Sequence, residues 1–117
     1  MSSMKPKLRS AFESELGSAD ALRRAGDLDG AFHHLERAHI LGQQFVAPHV
    51  RTHLAMLRIG FVRRDLREIA GQIVRVPAAA IGSALGAPPG GNTGGANVGF
   101  FARMEIPPDL KALLDAR

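Results

Sequence analysis

Five histidines, His33, His34, His39, His49 and His53, fall within 21 consecutive residues of a 117-residue chain that has no histidine elsewhere and no cysteine. Imidazoles gathered in this way can ligate a transition-metal ion, carry a proton or lock a polar junction between helices. Spacing divides the five. His49 and His53 are four residues apart and stack on one face of a helix, and Glu36 and His39 are three apart on the preceding one. If those helices pair antiparallel, the end of the first meets the start of the second, and Glu36, His39, His49 and His53 converge. Three imidazoles and one carboxylate suit a divalent transition metal such as zinc, or iron, copper or nickel in other geometries. His33 and His34 point away from this face and are expected in solvent.

A bland explanation stands beside the metal. His39 near a helix C-terminus is favoured by the dipole alone. His49 and His53 could simply bond Glu36, Gln43 or loop carbonyls and fix the hairpin angle. Catalysis by a histidine with Glu36 as acid and base is less favoured. No Ser or Thr has an evident base beside it, and no paired carboxylates bracket a cleft. A di-iron oxidase would need a second Glu-x2-His segment, which the chain lacks.

The elements that must position these residues follow from apolar periodicity. Leu8, Ala11, Phe12, Leu16, Ala19 and Leu22 predict a first helix over about residues 6–25, ended by Gly26-Asp27. Leu28, Ala31, Phe32, Leu35 and Ala38 predict a second to Leu41, with Gly42 as a left-handed stop. Pro48 suits the first turn of a third, with the stripe Val50, His53, Leu54, Leu57 and Phe61. Leu66, Ile69, Ala70, Ile73 and Val74 give the fourth, which Pro77 should kink or break, leaving a short Ala-rich helix to Leu85. Residues 86–99 are Gly-rich and aperiodic, and Phe100–Ile106 should be pinned in extended form. Pro107-Pro108-Asp109 then opens a short C-terminal helix.

The expected fold is therefore all-α. It is a single domain over residues 1–117, an antiparallel bundle of two tetratricopeptide-like hairpins (6–85), a Gly-rich loop and extended segment (86–106) and a short final helix (107–117). The first pair carries the spacing of a tetratricopeptide unit, but the chain has room for two hairpins and a repeat array needs about three. The Gly-rich segment could be an anion nest, yet it lacks the Gly-Lys-Ser/Thr ending of a phosphate loop, and an ordered cover over the bundle is favoured.

Composition bounds the partners. The net charge of +4 is concentrated in Arg58, Arg63, Arg64, Arg67 and Arg75. Without stacking aromatics these read as a solvated helix face rather than a nucleic-acid surface. The most apolar run, Val76–Ala87, is 12 residues, too short to span a bilayer. The N-terminus has no signal-peptide core, so a cytoplasmic protein is expected. Zero Cys removes disulfides and thiolate ligands from consideration.

Leu35-Glu36-Arg37-Ala38-His39-Ile40-Leu41-Gly42-Gln43, then His49-Val50, His53 and Met56, then Gly91-Asn92-Thr93-Gly94-Gly95-Ala96-Asn97, resemble a small uncharacterised bacterial family catalogued as a domain of unknown function, DUF3703. The likeness runs from about Leu22 to Leu114. It implies no established activity, cofactor or catalytic residue. Two functions stay open: a small metal- or ligand-binding accessory protein using Glu36, His39, His49 and His53, and a tetratricopeptide-like interaction module in which that cluster is purely structural.

Overall fold

The computed structural model describes residues 4–86, 90–99 and 102–116. Five helices account for its regular structure: α1 (Pro6–Arg24), α2 (Leu28–Gly42), α3 (Val46–Arg63), α4 (Leu66–Ala84) and α5 (Pro108–Asp115). No strand occurs among the described residues. The class is all-α. Among the described residues, no helix is long and apolar enough to cross a membrane.

Local chemistry sets the boundaries. Pro6 and Pro108 start α1 and α5, where a missing N–H removes no helical bond. Asp27 and Asp65 cap α2 and α4, accepting from the N–H groups of Gly30 at 2.9 Å and Glu68 at 3.1 Å. α3 ends on Arg64, whose φ of 57° is left-handed.

α2 is the central element. Its Ala38, Ile40 and Leu41 pack with Met4, Leu8 and Phe12 on one side and with Leu110 and Leu114 of α5. Its Ala31 and Leu35 pack with Ala19 of α1 and with Met56 and Ile59 of α3. α4 in turn lies mainly against α3. Arg37 bridges α1 and α5 by pairing with Glu15 and Asp109. His34, expected in solvent, instead bonds Glu15 at 2.7 Å and helps hold α1 to α2, whereas His33 is exposed as anticipated.

Gly42 is not the left-handed stop that its position suggested. α2 runs through it, and Gln43 follows with φ −66°. Its missing side chain matters for space: a Cβ there would lie 2.8 Å from the Phe12 ring and 3.0 Å from Pro48 Cβ. That contact lets the start of α3 sit against the end of α2, which is what brings His39 and His49 within reach of each other.

Helices three and four are buried on faces other than those the apolar stripes indicated. On α3 the interior row is His49, Thr52, His53, Met56, Ile59 and Gly60, while Leu54 and Phe61 are 49% and 58% exposed. On α4 it is Gln72, Arg75, Ala79 and Ser83, and Leu66, Ile73 and Val74 are largely exposed. Apolar counting fails here because the polar residues have partners waiting inside, so their burial is compensated. Pro77 breaks nothing. α4 continues through it to Ala84, with the ring on the exposed side of the helix. Phe100 and Phe101, expected in an extended segment, lie outside the described residues.

Candidate metal centre

His39 belongs to the last turn of α2, and His49 and His53 to the first two turns of α3. α4 closes the opposite side with Gln72, Arg75, Ala79 and Ser83, whose steps of three, four and four keep them on one face. All three histidines are buried, at 3–6% exposure. Their Nε2 atoms converge, with His39 and His49 2.9 Å apart, His39 and His53 3.1 Å apart, and His49 and His53 3.1 Å apart.

The outward nitrogens decide what these short separations mean. His39 Nδ1 lies 2.6 Å from the backbone carbonyl of Asn92, an acceptor with no proton to give. His49 Nδ1 lies 2.7 Å from Ser83 Oγ, whose hydroxyl donates to the Gln43 carbonyl at 2.5 Å and so must accept from the ring. His53 Nδ1 lies 2.6 Å from Gln72 Oε1. The Gln72 amide is oriented by its NH₂, which donates to Glu68 and to the Gly94 carbonyl. Each ring therefore holds its proton on Nδ1 and turns a bare Nε2 lone pair inward. Three lone pairs at about 3 Å cannot bond to one another; they repel unless something electrophilic sits between them.

Electrostatics keep the rings neutral. Burial holds His49 down at about 3, helped by the neighbouring His53. Burial likewise lowers His53 to about 4, with the Arg75 charge adding to the effect. His39 lies well below the ordinary imidazole value, first through burial and then through the other two rings. Neutral imidazoles with fixed tautomers are the ligand form of histidine, and hydrogen-bonded outer partners are the usual device for fixing them.

Residues 90–99 cross over this cluster outside any helix. Asn92 anchors the segment: its amide donates to the carbonyls of Gly99 and Ala102, and its Oδ1 accepts from the N–H of Gly94. Gly94, at φ +85°, lies so close to His39 that a Cβ would come 2.5 Å from the ring. The segment is tied to α4 by Ala96 N–H, donating to Glu68, and by Arg75, donating to the Val98 carbonyl at 2.7 Å. Arg75 is thus an interior strut, unlike the arginines around it on the surface.

Of the four residues anticipated for the site, His39, His49 and His53 lie together and Glu36 stands apart. Among the described residues, the cluster able to hold an ion consists of the three histidines. The Glu36 carboxylate faces His33 at 3.8 Å, and burial raises its pKa. Three site residues escaped the sequence reading: Gln72, Ser83 and Asn92. The first two carried a signal, since Gln72, Arg75, Ala79 and Ser83 form a polar-and-small row opposite the apolar stripe. Asn92 carried none, being 53 positions from the ring it holds.

A family profile described as "Protein of unknown function (DUF3703)" matches residues 6–114. No curated protein and no solved structure matches the chain.

The depressed imidazole values make a stability prediction. The rings are neutral when folded and titrate near 6.5 when unfolded, so below that pH the unfolded chain binds more protons. The stabilisation is complete above about pH 7 and is lost as pH falls from about 6.5 toward the folded values of about 4 and about 3. The slope should approach roughly 1.4 kcal/mol per pH unit for each histidine. Urea unfolding of the metal-free protein at pH 7 and pH 5 measures it, and His53→Gln should flatten the difference. An unfolding midpoint independent of pH over that range would contradict buried neutral rings.

Proposed function

The chain belongs to the DUF3703 family, and we propose that it is a metal-binding protein whose centre is the triad His39, His49 and His53. One observation carries this reading: three Nε2 lone pairs lie within 2.9–3.1 Å of each other while every Nδ1 proton is committed to an outward acceptor. A cluster serving structure alone would join its rings by N–H···N bonds, which this arrangement of protons leaves no donor to make. A divalent transition ion, zinc among the candidates, relieves the repulsion and gains three ligands already oriented. No carboxylate is needed in this set, so Glu36 drops out of the ligand list. The role that follows is that of a small accessory protein that holds or hands on a metal ion.

A second surface favours a companion reading, the interaction module anticipated from the hairpin spacing. Along α4, Leu66, Ile73, Val74, Ile81 and Leu85 are 56–79% exposed. They line one side of α4, into which exposed Arg67 also projects seven residues before Val74, and Phe61 and Val62 of α3 are exposed as well. A contiguous exposed apolar face of this kind is what interaction surfaces present. The occupant it fits is a second copy. Turned about a two-fold axis near Val74 and Pro77, the stripe meets itself with Leu66 opposite Leu85 and Ala70 opposite Ile81, the self-matching pattern that an isologous dimer requires.

Calorimetric titration of metal-free protein with zinc, cobalt(II) and nickel tests the first reading. One ion per chain should bind, with little proton release at pH 7 because the ligands are already deprotonated. Replacing His49 or His53 by Ala should weaken binding at least 100-fold, and Gln72→Leu should cost about 10- to 100-fold through the lost hydrogen bond to His53 Nδ1. Equal binding by wild type and all three variants would end the metal assignment.

Sedimentation at micromolar concentrations tests the second. Wild type should be dimeric and Ile73→Asp monomeric, whereas a wild type that stays monomeric at every concentration would remove the dimer.

A further inference from the structure

We infer that the triad is an open, facial cap, and that the metal it holds completes its coordination with an exchangeable small anion from outside the chain. The inference rests on the metal assignment above and concerns what else binds at that ion. Three lines lead to it.

The first is angular. Nitrogens 2.9–3.1 Å apart, each about 2.1 Å from a shared ion, subtend angles of roughly 87–95° at it. A tetrahedral set at the same bond length would hold its nitrogens about 3.4 Å apart. Right angles are those of one face of an octahedron, which leaves the opposite face for other donors.

The second concerns those donors. Among the described residues, no further histidine and no carboxylate joins the cluster within reach of a common ion, and the chain has no cysteine. Glu68, the carboxylate that approaches from α4, is turned away onto the amide of Gln72 and the N–H of Ala96. Glu36 faces His33. The one buried side-chain oxygen without a partner among the described residues is Oε1 of Gln43, four residues after His39, and positions that it does not take fall to solvent species.

The third is charge. The rings, protonated on Nδ1 alone, contribute none, so a divalent ion would bring two positive charges into a buried site lined by the same α4 row that carries buried Arg75. Buried charge without a counter-charge is costly. An anion small enough to pass the segment of residues 90–99, whether hydroxide, halide or a linear pseudohalide, neutralises part of that charge while filling an open position. The same chemistry would admit a small carboxylate or an inorganic oxyanion, and competition separates these.

Cobalt(II) is the probe, because its d–d and charge-transfer bands report coordination number and ligand type. Cobalt-loaded protein should show the weak visible bands of a five- or six-coordinate ion. Titration with sodium azide should add a near-ultraviolet azide-to-cobalt band that saturates at one azide per cobalt. Chloride, formate and sulfate should shift the azide midpoint in proportion to how well each enters. Failure of cobalt to bind would overturn the metal assignment and this inference with it. Cobalt that binds but whose spectrum ignores azide at every concentration would overturn the open face alone, since the ion would then be closed by the protein. Gly94→Ala, which crowds His39 beneath residues 90–99, should change the azide midpoint more than the cobalt stoichiometry; an unchanged midpoint would contradict entry of the anion beside that segment.

Discussion

Three ring protons are held on the outside of the histidine cluster, and the centre of the molecule is arranged around that constraint. The Asn92 carbonyl, the Ser83 hydroxyl and the Gln72 amide oxygen each accept from an Nδ1. Were any one of them a donor, its ring would turn over, and one inward lone pair would become an N–H able to bond its neighbours. Hydrogen bonds made to the neutral form thus choose between a closed polar knot and an electron-rich pocket. Burial works the same way, because rings that cannot be charged must present a lone pair somewhere.

The need to deliver these acceptors explains features that would otherwise look like faults. α4 turns a glutamine, an arginine and a serine inward and leaves leucine, isoleucine and valine in water. That inversion is costly in area and is offset by the fully partnered polar row on the other face, and by whatever covers the apolar stripe. Gly42 lets α3 start against Phe12 and α2, setting His49 beside His39. Residues 90–99 belong to the same scheme, since the backbone carbonyl of Asn92 supplies the third acceptor and Gly94 fits flat against the ring it serves.

Much of this was legible in the sequence, and what was not has physical reasons. The four-residue step from His49 to His53 and the place of His39 at a helix end bring three imidazoles together once the short connection pairs the two helices antiparallel. The helices and the core faces of α1 and α2 follow from period and caps. Glu36 misled because a three-residue step from His39 puts it on the rim, where a few tens of degrees decide between the cluster and His33. α4 misled because apolar periodicity reports which residues avoid water in isolation, whereas its burial is set by hydrogen-bond partners on other elements. Pro77 suggests a kink or break because proline brings no N–H to a helix interior, yet on an exposed side one lost bond does not end nineteen residues of helix. The segment carrying Asn92 reads as a cover over the bundle, but nothing local links Asn92 itself to His39 of α2.

The tautomeric state of the three rings is the central claim, and long-range nitrogen–proton correlation spectroscopy of the metal-free, nitrogen-15-labelled protein at pH 7 reads it directly. His39, His49 and His53 should each give the pattern of a neutral ring protonated at Nδ1, with Nε2 bearing no hydrogen. A ring among them protonated at Nε2, whether as the other tautomer or as imidazolium, would contradict the account.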